Sequence, residues 1–338
     1  MNESIPPIAP LEPAATAYKD RSTGLRVFGV LTILLGCVAG LLVLFMLFGQ
    51  AAAAASRTAD VPPVSLAVIL PAVGIYGALA VALIWLGIGS IKARRWARAL
   101  LLIFSWSWLV MGILTLIVMS FVLPMIFDNM QSNGAANQPA LPPAAKAVAM
   151  AVAFLFFGVF FVLLPAIWTF FYFSRHVKAT CEARDPMTRW TDACPLPVLG
   201  LSLWLMISVP MMLLMPLSGH GVMPFFGIFL KGAAGTLFCL ALAALWSYAA
   251  WLIYHLKPEG WWLIMIAMIV FMASSLMTFA QHDMLEMYQL MGYPQAQIAQ
   301  IQKSGLLTGN RMGWLAGCSA LPFLAYILFV KKYFRAKS

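Results

Sequence analysis

Eight apolar stretches dominate this sequence: Val27–Phe48, Leu66–Ile91, Ala99–Met125, Ala147–Phe173, Pro197–Leu217, Phe225–Tyr254, Trp261–Gln281 and Met312–Val330. Crossing the hydrocarbon core of a bilayer takes about 20 residues of helix. Inside lipid only a helix or a closed barrel satisfies its own backbone, and unbroken runs of this length read as helices. They restrict the fold class to all-α, a polytopic transmembrane helix bundle of about eight spans. Only 9% of the 338 residues are charged, against about a quarter in soluble domains. That is too little charge to cover a surface facing water, so the lipid bilayer is the chain's main partner.

The runs are not equivalent. The third and sixth are long enough to tilt or project beyond the lipid. Pro210 and Pro216 lie in the fifth, where they are expected to kink it or end it early. The N-terminal stretch 1–24, rich in Pro and Ala, has no apolar core and reads as a disordered tail rather than a signal peptide.

The net charge of +10 does not imply nucleic acid, because no basic polar domain exists to receive it. Lys and Arg gather instead in short bursts between runs. Sixteen of the 21 fall on one side: Lys19, Arg21 and Arg26; Lys92, Arg94, Arg95 and Arg98; Arg175, Lys178, Arg184 and Arg189; Lys257; and Lys331, Lys332, Arg335 and Lys337. The other side has Arg57, Lys146, Lys303 and Arg311, with Lys231 in or near the sixth run. This bias predicts a multi-pass protein of the cytoplasmic (inner) membrane with both termini in the cytoplasm.

Two stretches, "LLPAIWTFFYFSRHVKA" and "ALPFLAYILFVKKYFRA", share a design of proline, apolar run and basic tail. A shift of 157 places Leu164-Pro165 on Leu321-Pro322, Arg175 on Lys332 and Lys178 on Arg335. A shift of 165 places Lys92 on Lys257 and Trp96 on Trp261, and one of 171 places Leu25, Val27 and Gly29 on Leu196, Val198 and Gly200. Such ordered marks predict two tandem four-span repeats, 25–173 and 196–330. Each has an even number of spans, so the copies share one orientation, related by an axis along the membrane normal. Between them lies the cytoplasmic linker 174–195, and 331–338 is a basic cytoplasmic tail.

Few residues carry chemistry. The seventh run ends in "SSLMTFAQHDMLEMYQL", where Ser275, Thr278, His282 and Glu286 share one stripe at helical spacing, overlapped by Ser274 and Gln281. His282 and Glu286, four apart, are in reach of each other. A cation or proton site at the outer mouth is the sharp reading; a helix turning polar as it meets water is the simpler one and is preferred. Lys231 is the one charge placed well within an apolar stretch, a functional candidate by default, yet it is only about two turns from the outer end and close enough to reach the headgroups. In the third run, Ser105, Gly112, Thr115 and Ser120 read as helix-packing positions.

The linker contains His176, Cys181, Asp185 and Cys194, which are zinc-ligand types without the close Cys pairs of structural sites. An ordered linker packed by Trp190 and turned at Asp185-Pro186 is preferred. Five cysteines without dense spacing make no disulfide framework. Glycines four apart in "GCVAG" and "GNRMGWLAG" permit close helix crossing, within the chain, with a second copy or with a membrane partner protein. Ser218 and His220 in "PLSGHG" lack the context of an intramembrane protease. No metalloprotease, nucleophile-elbow or phosphate-loop motif is present, so no cofactor is expected. The preferred function is a non-enzymatic structural, sensory or assembly component of the membrane. The alternative is a small-solute or ion transporter built on the duplication.

Overall fold

A segment surrounded by lipid finds no water to bond, so each apolar run closes its N–H and C=O groups along its own axis. The computed structural model describes residues 18–55, 66–133, 142–219, 221–293 and 309–335, with single residues 295, 298, 299 and 302. Residues 1–17, Arg57, His220 and Lys303 lie outside the described residues, as do the side chains of Asp128, Ser218 and Arg311. In order come α1 (Ser22–Ala55), α2 (Leu66–Ile91), α3 (Arg95–Asn133), α4 (Pro143–Gly158), a π-helical turn (Val159–Leu163), α5 (Leu164–Phe173) and α6 (Arg175–Arg184). A 3-10 turn (Trp190–Asp192) leads into α7 (Leu196–Gly219), then strands β1 (Met223–Phe225) and β2 (Ile228–Leu230). The chain closes with α8 (Gly232–Tyr254), α9 (Pro258–Gln281), α10 (Met284–Leu290), α11 (Gly309–Val330) and α12 (Lys332–Arg335).

Among the described residues, seven helical segments are long and apolar enough to cross a membrane: α1, α2, α3, α4 through α5, α7, α8 and α9. The chain is thus a mostly helical, multi-pass membrane protein. The eighth apolar run lies within α11, whose side chains are described from Ala320 onward.

Three expectations about the runs change. α7 runs from Leu196 to Gly219 without stopping at Pro210 or Pro216, because lipid makes exposed backbone costlier than a local adjustment around proline. The sixth run is not one helix: its first residues form a β-hairpin, and α8 begins only at Gly232. The fourth is interrupted at Val159–Leu163, where Leu164 N–H bonds back to Val159 O. Pro165 has no N–H for the Phe161 carbonyl, and the wider π turn accommodates the mismatch. That carbonyl faces Gly112 of α3, where a Cβ would collide with it. Gly112 is therefore a packing residue, as the sequence predicts.

The two larger apolar cores among the described residues both lie at the end where the basic connections are. Leu25, Leu86, Ala93, Leu101, Trp168 and Tyr172 build one from α1, α2, α3 and α5. Val198, Leu201, Trp246, Ile253, Trp261 and Ile327 build the other from α7, α8, α9 and α11. Leu196 packs against both.

The turns after α2 and α8 share one geometry. Ala93 and Leu256 take left-handed backbones (φ 51° and 57°). Arg94 N–H reaches back to Gly89 O at 2.9 Å, and Lys257 N–H to Leu252 O at 3.0 Å, as in a Schellman end. These matching features lie 163 residues apart, against the 165 expected from Lys92 and Trp96. Trp96 and Trp261 are correspondingly not equivalent: Trp96 stacks on Trp85 at 4.1 Å, while buried Trp261 donates from Nε1 to Ile327 O at 2.8 Å.

Linker 174–195 is ordered, but Trp190 does not pack it, being 47% exposed. Asp185 organises it instead. Its side chain is 2% exposed and accepts from Arg189 Nη2 (2.8 Å) and Nε (3.3 Å), Arg95 N–H (3.4 Å) and Arg94 Nη1 (3.5 Å).

Candidate functional site

A short hairpin at a membrane edge exposes backbone groups that its own two strands cannot pair. β1 and β2 pair antiparallel, Phe225 opposite Ile228, leaving Phe226 and Gly227 as the two-residue turn. Both have positive φ, 41° and 88°, the signature of a type I′ turn. Gly is needed at 227, where a Cβ would sit 3.0 Å from Gln281 Oε1 on a backbone that disfavours side chains.

The polar edge of α9 meets this turn. Phe226 N–H donates to Ser274 Oγ (2.9 Å), and Gly227 N–H donates to Thr278 Oγ1 (3.0 Å). His282 Nε2 lies 3.0 Å from Gly227 O. Ser274 and Thr278, one helical turn apart on α9, and His282 just past its end thus each hold one group of the hairpin turn. Beneath lies a small apolar cluster of Val222, Phe279 and Met287.

The predicted stripe is therefore only partly brought together. Ser275 and Thr278 are buried on α9, 8% and 0% exposed. His282 and Glu286 do not continue that helix: α9 ends at Gln281, His282 is extended (φ −128°, ψ 143°), and Glu286 sits in the first turn of α10. They still meet, Nδ1 to Oε2 at 2.8 Å. The Glu286 carboxylate holds the His282 imidazole above its ordinary pKa, and the Gly227 carbonyl adds to this. With acceptors at both ring nitrogens, the doubly protonated form satisfies both contacts. Lys231 stands apart from the stripe, as the exposed residue that caps α8 after β2. It lies outside the span, because the hairpin occupies the start of the sixth run.

The other end of the bundle contains a feature that sequence reasoning missed. The first turn of α3, the later turns of α6, the 3-10 turn and the start of α7 line a half-open cavity of about 310 Å³. Arg95, Arg98, Lys178, Glu182, Thr191 and Asp192 supply its polar wall, with Cys181 and Cys194 also lining it. Burial pushes both thiols up to about 11, which keeps them neutral and poorly nucleophilic. The signal was present in the sequence: four basic residues between 92 and 98 facing a linker with Glu182, Asp185 and Asp192. Along the sequence alone those charges mark topology and nothing more. The linker's zinc-ligand types are put to separate uses, since His176 Nδ1 accepts from Lys19 N–H (3.3 Å) and Asp185 joins the arginines. Among the described residues no group of three or more His, Cys, Asp or Glu is placed to hold a metal.

Compared with known proteins, the chain matches no family model, no curated protein and no solved structure.

Proposed function

We propose that this chain is a non-enzymatic component of the cytoplasmic membrane, with eight spans in two tandem four-span repeats and both termini in the cytoplasm. Its contacts with other molecules are made through the ordered linker and the basic end, which serve a structural or assembly role. The observation that carries this reading is the use of the polar stripe. Ser274, Thr278 and His282 are taken up in holding the hairpin turn. A transport pathway would need those groups turned toward an open passage.

The repeat is supported by matching element order: α1, α2 and α3 correspond to α7, α8 and α9, and α5 with α6 to α11 with α12. The left-handed turns at Ala93 and Leu256 fit it. So do the N–H of Ser174 and of Lys331, 157 residues apart, each bonding three residues back at 3.2 Å. The charge bias supports the orientation, and the eighth span is the apolar α11.

Two measurements test this. With a membrane-impermeant maleimide on intact cells, Gln289→Cys is labelled and Met187→Cys is labelled only after lysis; the reverse pattern overturns the orientation. In a thermal-shift screen of purified protein against ions, divalent metals and metabolites, a response abolished by both His282→Ala and Glu286→Gln would overturn the structural reading in favour of an outer ligand site.

A further inference from the structure

The cavity at the basic end has an uneven charge ledger. Three cations line it, Arg95, Arg98 and Lys178, against two acids, Glu182 and Asp192. The acids face two of the three cations: Asp192 Oδ2 lies 3.4 Å from Arg95 Nε, and Glu182 Oε1 lies 3.8 Å from both Arg95 Nη2 and Lys178 Nζ. Among the described residues no carboxylate forms an ion pair with Arg98, whose Nε is buried without a hydrogen-bond partner. In the same lining, Thr191 is 2% exposed and its Oγ1 is likewise buried and unpartnered. Proteins seldom leave such groups unpaired, and a bound water or ion is one of the explanations where they do. Here two unpaired groups, from α3 and from the 3-10 turn, line the same space.

We propose that this cavity binds a phosphate group, held by the Arg98 guanidinium and the Thr191 hydroxyl, with Lys178 closing from α6. The guanidinium fork matches two phosphate oxygens. The hydroxyl and the ammonium, on other walls, then require further oxygens, which a tetrahedral anion has and a carboxylate does not. The lining's single excess positive charge is neutralised by a monoanion, and the neutral Cys181 and Cys194 thiols add no repulsion. Ala99, Pro195 and Leu196 form an apolar wall beside the polar one, suited to the organic part of a phosphate ester. Phosphate reaches a site at this level from two sources, a lipid headgroup or a soluble ester.

The experiment uses the full chain, delipidated in detergent, with its melting temperature followed at constant ionic strength. Phosphatidylglycerol, glycerol 3-phosphate, diacylglycerol and acetate are the probes. Melting rises with at least one phosphate compound and with neither diacylglycerol nor acetate. A rise with phosphatidylglycerol alone assigns a lipid headgroup; a rise with glycerol 3-phosphate assigns a pocket open to soluble esters. Apparent affinity falls roughly 10- to 100-fold in Arg98→Gln, the range for a hydrogen bond to a charged group, and several-fold in Thr191→Val. It is unchanged in Arg26→Gln, a control at an exposed arginine on α1. Arg98→Lys keeps the charge but not the fork, and Thr191→Val keeps the shape, so the result stands even where Arg98→Gln does not fold. No rise with either phosphate compound, an equal rise with acetate, or affinity unchanged in both Arg98→Lys and Thr191→Val overturns the proposal. Because this response is independent of His282, its failure is separable from that of the outer-site screen.

Discussion

His282 Nδ1 lies 2.8 Å from Glu286 Oε2 although α9 ends at Gln281, before either residue. The contact spans a break between two helices, and its other arm reaches Gly227 in the hairpin turn. One imidazole thus joins α9, α10 and the hairpin. A polar edge that the sequence presents as a helix face becomes a three-way fastening in the folded chain.

That fastening depends on pH in a defined direction. The folded pKa of His282 is raised by Glu286 above an ordinary value of about 6.5. Its stabilisation is therefore fully present below about pH 6.5 and is lost as pH rises through the higher folded value. Amide protection across residues 223–230, taken relative to intrinsic exchange at each pH, is expected to fall over that rise, and His282→Gln is expected to remove the fall. Protection that is flat with pH in wild type would count against the fastening.

At the opposite end, Asp185 titrates with the opposite sense. Its hydrogen bonds from Arg189, then from Arg95 N–H, hold the carboxyl below the usual range against the cost of burial. The contribution is present above the unfolded pKa of about 3.9 and disappears as pH falls through the lower folded value. Asp185→Asn is expected to cost about 2 kcal/mol at neutral pH, the scale of a charged hydrogen bond. Melting curves between pH 3 and 6 check both points, since the variant loses the slope that wild type shows.

Gly112 makes a steric prediction. Any Cβ there meets the Phe161 carbonyl, a backbone atom that cannot rotate aside. Gly112→Leu is expected to lower stability by more than about 2 kcal/mol, as overpacked cores do, and to yield aggregated protein on size exclusion. Gly158→Ala, with no atom within 4 Å of its new methyl group, is the matched control and is expected to remain folded and monodisperse.

Much of the architecture was legible because lipid imposes a simple rule: long apolar runs become helices, and charge gathers at their ends. The packing role of Gly112 and the meeting of His282 with Glu286 followed from spacing alone. The failures share a cause. The hairpin at Met223–Leu230 was hidden in an apolar run, because local composition does not tell a helix start from a strand pair. The 165-residue match of Trp96 with Trp261 used side-chain identity, whereas the backbone turns at Ala93 and Leu256 share their geometry at a spacing of 163.

By itself, then, the sequence determined a mostly helical, multi-pass membrane protein, since composition and run length act through the solvent on each segment separately. Only the tertiary structure decided what the polar residues do. Ser274, Thr278 and His282 hold the hairpin because a turn distant in sequence presents three backbone groups to them. Arg98 and Thr191 share a cavity because α3 and the linker's 3-10 turn pack against each other. Such pairings depend on which segments meet, and no local pattern along the chain contains that information.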